Sequence, residues 1–125
     1  MARILIVDDD PGVGDVIARM LAQAGHDAVA LSNGASALRA YREHPADLVI
    51  SDMFMPETDG VEITMCLRRE FPDSKVLAIS GGRGRFDKNL MLETASALGA
   101  VGTLAKPFER SDLLRLVQEV LLVEQ

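Results

Sequence analysis

What most constrains the fold of this chain is an alternation between two hydrophobic rhythms. Short apolar runs of about five residues occur at 4–7, 27–31, 47–51, 76–80 and 101–105. Stretches with helical spacing lie between and after them. Val13, Val16, Ile17, Met20, Leu21 and Ala24 follow an i, i+3, i+4, i+7 rule, and Gly25 stands where a helix C-terminus accepts positive φ. A second helix is predicted from a Ser32 or Asn33 cap through Ala35, Leu38 and Tyr41, and a third from Gly60 to Phe71, stopped by Pro72. A fourth covers about 87–98 and is closed by Gly99; a fifth runs from Arg110 to Val123 with Leu113, Leu116, Val117, Val120 and Leu121 on one face. Continuous apolar strands separated by helices imply a parallel sheet covered on both faces. Right-handed crossovers make it an α/β doubly wound five-stranded sheet, with 2-1-3-4-5 as the expected order.

Length fits one domain over residues 1–125, and an apolar fraction of 48 % is enough for a core. No apolar run approaches the ~20 residues of a membrane span. The start MARILIVDDD has neither the long apolar region nor the cleavage site of a signal peptide, so a cytoplasmic protein without membrane association is expected. A net charge of −6 argues against direct nucleic-acid binding. Cys66, the sole cysteine, can form neither an internal disulfide nor a thiolate metal site and reads as a packing residue. His26 and His44 lack metal-ligand neighbours and are expected at the surface; Met53 and Met55 read as packing.

Chemistry collects at the strand ends, which a parallel sheet gathers along one edge. Strand 1 ends in Asp8, Asp9 and Asp10, strand 3 in Asp52, strand 4 in Ser80 and strand 5 in Lys106. Crowded carboxylates repel unless a cation sits among them. Oxygen donors without His or Cys suit Mg²⁺, which commonly accompanies phosphate. A carboxylate can act as a phosphoryl-accepting nucleophile, and phosphoryl transfer mostly needs positioning and charge neutralisation. Lys106, the Ser80 hydroxyl, backbone N–H groups and the ion are candidates to supply these. Asp10 is placed to cap the first helix, with Pro11 in its first turn.

Four segments, ILIVDDD, LVISDMFMPETDGVEI, AISGG and GTLAKPF, resemble the receiver domain of two-component response regulators, and the likeness runs from Arg3 to about Val123. The resemblance implies a flavodoxin-like receiver fold. It implies a phosphoacceptor signalling domain rather than an enzyme, with Asp52 accepting the phosphoryl group. It also implies a Mg²⁺ cofactor held by Asp9, more indirectly by Asp8, by Asp52 and by the backbone carbonyl of Phe54. Ser80 would bind a phosphoryl oxygen and Lys106 would pair with the phosphoryl group or with Asp52. The Lys106–Pro107 bond would be cis, and Asp59-Gly60 would turn into the third helix. The implied partners are a sensor histidine kinase or histidine phosphotransfer protein and a downstream protein or an output domain. The output domain would lie outside this chain, leaving a stand-alone receiver and one excised from a longer regulator both open; the pattern does not bear on oligomeric state.

The match departs from the family pattern in two places. Thr103, three before Lys106, stands where receivers often carry an aromatic ring that turns inward, so the switch is expected to run through Ser80, the loop after it and the fourth helix. The gap from Ser80 to Lys106 is longer than usual, the excess falling in the Gly81-Gly82-Arg83-Gly84-Arg85-Phe86 loop. That loop is no P-loop, since it lacks the G-x-x-x-x-G-K-[ST] pattern. Phe54, two past Asp52, cannot orient water by hydrogen bonding, so slow self-dephosphorylation is expected.

Two alternatives fit less of the sequence. A haloacid-dehalogenase-type phosphatase would use Asp8 and Asp10, but Gly12 replaces its Thr or Val, its later acidic pair is missing, and Asp52 is left unexplained. A flavodoxin-like FMN carrier would bind phosphate at the loop after strand 1, which here is Asp8-Asp9-Asp10-Pro11 and repels an anion.

Overall fold

A computed structural model describes residues 2–53, 60–80, 93 and 96–122. Phe54 to Asp59, the 81–86 loop and all of the predicted helix over 87–98 except 93 and 96–98 lie outside the described residues. The described elements are β1 (Arg3–Val7), α1 (Pro11–Gln23), β2 (Asp27–Leu31), α2 (Gly34–Glu43), β3 (Leu48–Asp52), α3 (Gly60–Glu70), β4 (Val76–Ser80), β5 (Gly102–Ala105) and α4 (Arg110–Leu121). All five strands pair in parallel in the order β2-β1-β3-β4-β5, as the alternation implies.

Strand period two divides the core into two layers. Ile4 and Ile6 of β1, Leu48 and Ile50 of β3, and Leu77 and Ile79 of β4 pack under Ile17 and Leu21 of α1 and Leu113, Val117 and Val120 of α4. The intervening residues Leu5, Val7, Val49 and Val76 face Ala37 and Tyr41 of α2 and Ile63 and Leu67 of α3. A fully buried aliphatic side chain is worth roughly 1.5–3 kcal/mol over an exposed one. Burial on both faces therefore commits β3 and β4 to the interior, whereas β2 and β5, only half-buried, form the edges.

Local chemistry sets where the elements begin and end. Asp10 caps α1 and Pro11 supplies its first turn, while Gly25, at φ +94°, turns the chain out of it. Asn33 rather than Ser32 caps α2, its side chain accepting the Ser36 N–H at 2.8 Å. β3 runs one residue later than its apolar run suggests. The Asp47 carboxylate accepts the Arg3 N–H at 2.8 Å, while its own N–H donates to the Arg3 carbonyl at 2.8 Å, so it seals the strand start. At the other end Asp52 stays in the ladder opposite Ile79. His26 is half-buried rather than a bare surface residue, its Nδ1 accepting the Ala2 N–H at 3.2 Å. Lys75 Nζ donates to the Val120 and Leu121 carbonyls at 3.1 and 3.2 Å, closing the C-terminal end of α4. Arg42 of α2 grips Glu70 of α3 through two hydrogen bonds of 2.7 and 2.8 Å.

Candidate functional site

The sheet register explains why acids distant in sequence meet. Val7 pairs with Ser51, so the next residues, Asp8 and Asp52, come side by side at the C-terminal edge of β1 and β3. Strand alternation continues Ile4 and Ile6 into Asp8, and Leu48 and Ile50 into Asp52, so both acids belong to the layer beneath α1 and α4. Leu104 lies in that same layer, and Lys106 follows it by one period. Ser80, fully buried, ends β4 opposite Ala105, and its carbonyl accepts the Lys106 N–H at 2.9 Å.

The charged groups converge tightly. Lys106 Nζ lies 3.1 Å from Asp8 Oδ2 and 3.4 Å from Asp52 Oδ2. The Asp8 and Asp52 side chains are each only 3 % exposed, so these contacts sit largely out of water. The second oxygen of Asp8 accepts the Asp10 N–H at 2.9 Å. One carboxylate oxygen from each of Asp8, Asp9 and Asp52 lies within 4.8 Å of the others. Three anionic oxygen donors converging at the C-terminal edge of the sheet, with no nitrogen or sulfur donor in the group, form a set that can hold a hard dication such as Mg²⁺.

Asp8, Asp9, Asp52 and Lys106 are thus brought together, and Ser80 stands on the adjoining strand end. Phe54, whose carbonyl was expected to join the metal ligands, lies outside the described residues. The contact between Lys106 and Asp8 was not anticipated; the sequence reading paired the lysine with Asp52 or a phosphoryl group. Its signal was available in the matching strand parity of Asp8 and Lys106. Asp10, by contrast, points its carboxylate back at its own helix, accepting the Gly12 N–H at 2.9 Å and the Val13 N–H at 3.4 Å. Met53 is fully buried, in keeping with a packing role.

The family model of the response regulator receiver domain matches residues 4–118. The chain belongs to that family. Response regulator receiver protein CpdR of Brucella abortus is 31 % identical over 122 residues, which cover 98 % of both chains. The alkaline phosphatase synthesis transcriptional regulatory protein PhoP of Bacillus subtilis is 30 % identical over 95 % of this chain, but the match spans only 48 % of PhoP. The response regulator receiver domain protein of Clostridium thermocellum superposes with a TM-score of 0.88 at 26 % identity, over 97 % of this chain and 94 % of that one. The receiver sheet order and the expected cis Lys106–Pro107 bond are both present. The departure from the receiver pattern at Thr103 is a structural one as well. Thr103 is exposed on β5, opposite Ala78, and offers no ring to bury. No helix among the described residues is long and apolar enough to cross a membrane.

Proposed function

We propose that this receiver domain accepts a phosphoryl group on Asp52 in a Mg²⁺-dependent reaction and so switches a docking surface for a protein partner. The observation that carries the proposal is the convergence of the Asp8, Asp9 and Asp52 carboxylates around one point, with the Lys106 ammonium on two of them. Asp8, Asp9, Asp52 and the Phe54 carbonyl would hold the ion. When bound, Mg²⁺ neutralises the carboxylates and draws negative charge off the phosphoryl oxygens.

The residues divide the rest of the work. The phosphodonor is a phosphohistidine on a sensor histidine kinase or a histidine phosphotransfer protein. An Asp52 oxygen attacks its phosphorus; the P–O bond forms as the P–N bond breaks, and the imidazole leaves. Lys106, already between Asp8 and Asp52, moves toward the new negative charge on the phosphoryl group. The Ser80 hydroxyl donates to a phosphoryl oxygen and draws the following loop with it. That movement biases a two-state equilibrium, and the favoured state is what a downstream protein or a covalently linked output domain reads. On this reading residues 1–125 act as one cytoplasmic receiver unit, a signalling phosphoacceptor and not an enzyme with a separate substrate.

Labelling with acetyl phosphate tests the assignment. Wild-type protein should gain an acid-stable, base-labile phosphoryl group only when Mg²⁺ is present. Asp52→Asn should keep the fold, judged by circular dichroism, and gain none. Label on Asp8, or label retained by Asp52→Asn, removes Asp52 as the nucleophile.

A further inference from the structure

Three consecutive acids follow β1, but they do different things. Asp8 and Asp9 contribute oxygens to the group that includes Asp52; among the described residues Asp10 contributes none. The Asp10 carboxylate is exposed and committed to the Gly12 and Val13 N–H groups at the start of α1. Its backbone is extended, at φ −95° and ψ 106°, and in that conformation its N–H donates to Asp8 Oδ1 at 2.9 Å. The Asp10 carbonyl accepts the Gly14 N–H at 3.1 Å, so both peptide groups flanking Asp10 are tied. Pro11 restricts the next φ. A Cβ added at Gly12 would stand 3.3 Å from Asp10 Oδ1, so the glycine keeps room for the cap. Asp8 is therefore gripped at both oxygens, at Oδ2 by Lys106 and at Oδ1 by the N–H of the residue that caps α1.

We propose that Asp10 is a positioning residue. Its side chain holds no cation; it locks the β1–α1 turn so that its own N–H aims the Asp8 carboxylate at the ion. The proposal rests on the metal-dependent reading above. Partners that orient a metal-binding carboxylate contribute to affinity although they never touch the ion. What the turn requires at position 10 is a hydrogen-bond acceptor, not a negative charge, and Asn serves that purpose as well as Asp.

Calorimetric titration of the full chain with Mg²⁺ distinguishes acceptor from charge, at a temperature where circular dichroism shows every variant folded. Asp10→Ala should weaken Mg²⁺ binding about tenfold, while Asp10→Asn stays within about twofold of wild type because it rebuilds the cap. At saturating Mg²⁺ the acetyl phosphate labelling rate of Asp10→Ala should return to the wild-type value, which places the effect in ion affinity and not in the chemical step. If Asp10→Ala does not fold, Asp10→Gly removes the same acceptor at a helix cost of only a few tenths of a kcal/mol, and the same loss of affinity is expected. The proposal is overturned if Asp10→Asn loses as much affinity as Asp10→Ala, or if Asp10→Ala (or Asp10→Gly in its place) binds like wild type. Wild-type protein that does not bind Mg²⁺ removes the underlying metal reading and the proposal with it. That result is distinct from wild-type binding that Asp10 leaves unchanged.

Discussion

Replacing Lys106 with Met keeps an unbranched side chain only one atom shorter and deletes its charge, and its effect can be estimated from the site. One oxygen from each of Asp8, Asp9 and Asp52 lies within 4.8 Å of the others. Two unit charges at about that separation repel by roughly 3.5 kcal/mol at an effective dielectric of about 20. The ammonium sits at 3.1 Å from Asp8 and 3.4 Å from Asp52, where each attraction is roughly 5 kcal/mol gross at the same dielectric. Desolvation offsets much of this, and removing one partner of a buried pair typically costs about 3–5 kcal/mol. Because the lysine side chain remains 22 % exposed, the lower end applies, about 3 kcal/mol. Urea unfolding followed by far-ultraviolet circular dichroism measures it. Without divalent ions Lys106→Met should be destabilised by about 3 kcal/mol. Mg²⁺ at a fixed concentration of about a hundred times the wild-type Kd adds about 2.7 kcal/mol to wild type, and the same concentration should add more to Lys106→Met because the ion relieves the same repulsion. In an Asp8→Asn, Asp52→Asn background the substitution should cost far less. A Lys106→Met protein as stable as wild type without Mg²⁺, or an undiminished cost in that background, refutes the electrostatic argument.

Further outcomes follow from other parts of the molecule. Burial, with Asp73 and Asp47 nearby, holds the Tyr41 phenol above its ordinary pKa. The unfolded chain therefore ionises first, and this contribution to stability is complete below about pH 10 and lost as pH rises through the folded pKa. Tyr41 is the sole tyrosine and the chain has no tryptophan, so an alkaline absorbance titration reads it directly; an ordinary midpoint in the folded protein contradicts the assignment. A Cβ at Gly102 would lie 3.1 Å from Leu77 Cδ1 and Val120 Cγ1 and 3.4 Å from Leu116 Cδ1, so Gly102→Ala should overpack the α4 layer. A loss of about 1 kcal/mol is expected in urea unfolding, and unchanged stability would show that the layer gives way freely. Phe54→Asn should shorten the lifetime of phosphorylated protein, followed by loss of label after donor removal; a longer lifetime in the variant counts against the argument that Phe54 cannot orient water.

Much of the architecture was legible because each strand's apolar run is continuous and each helix carries its own punctuation. Asp10 and Pro11 open α1, Gly25 ends it at φ +94°, and Gly99, at φ +101°, stands where the predicted fourth helix was expected to close. The one-residue shift of β3 was not legible, because Asp47 is assigned by a contact with Arg3 across the sheet that no local pattern carries. The acidic pair and Lys106 could be located at strand ends from sequence, but their mutual geometry depends on register. Only the pairing of Val7 with Ser51 brings Asp8 beside Asp52. The Asp8–Lys106 contact joins residues 98 positions apart and follows from the parity of two strands that are not neighbours. Within Asp8-Asp9-Asp10 the capping role of Asp10 was legible from Pro11 beside it, whereas the hydrogen bond from the Asp10 N–H to Asp8 was not, since it depends on how the turn folds back.

The central claim is that Asp8, Asp9 and Asp52 share one divalent ion, and an amide-resolved nuclear magnetic resonance titration with Mg²⁺ addresses it most directly. The amides of Asp8 to Asp10, Asp52, Met53 and Lys106 should shift together along a single saturation curve in wild type, and that common response should collapse in Asp52→Asn. Shifts centred instead on Asp47 and Asp73 at the opposite edge of the sheet, or a response that Asp52→Asn leaves intact, would contradict it.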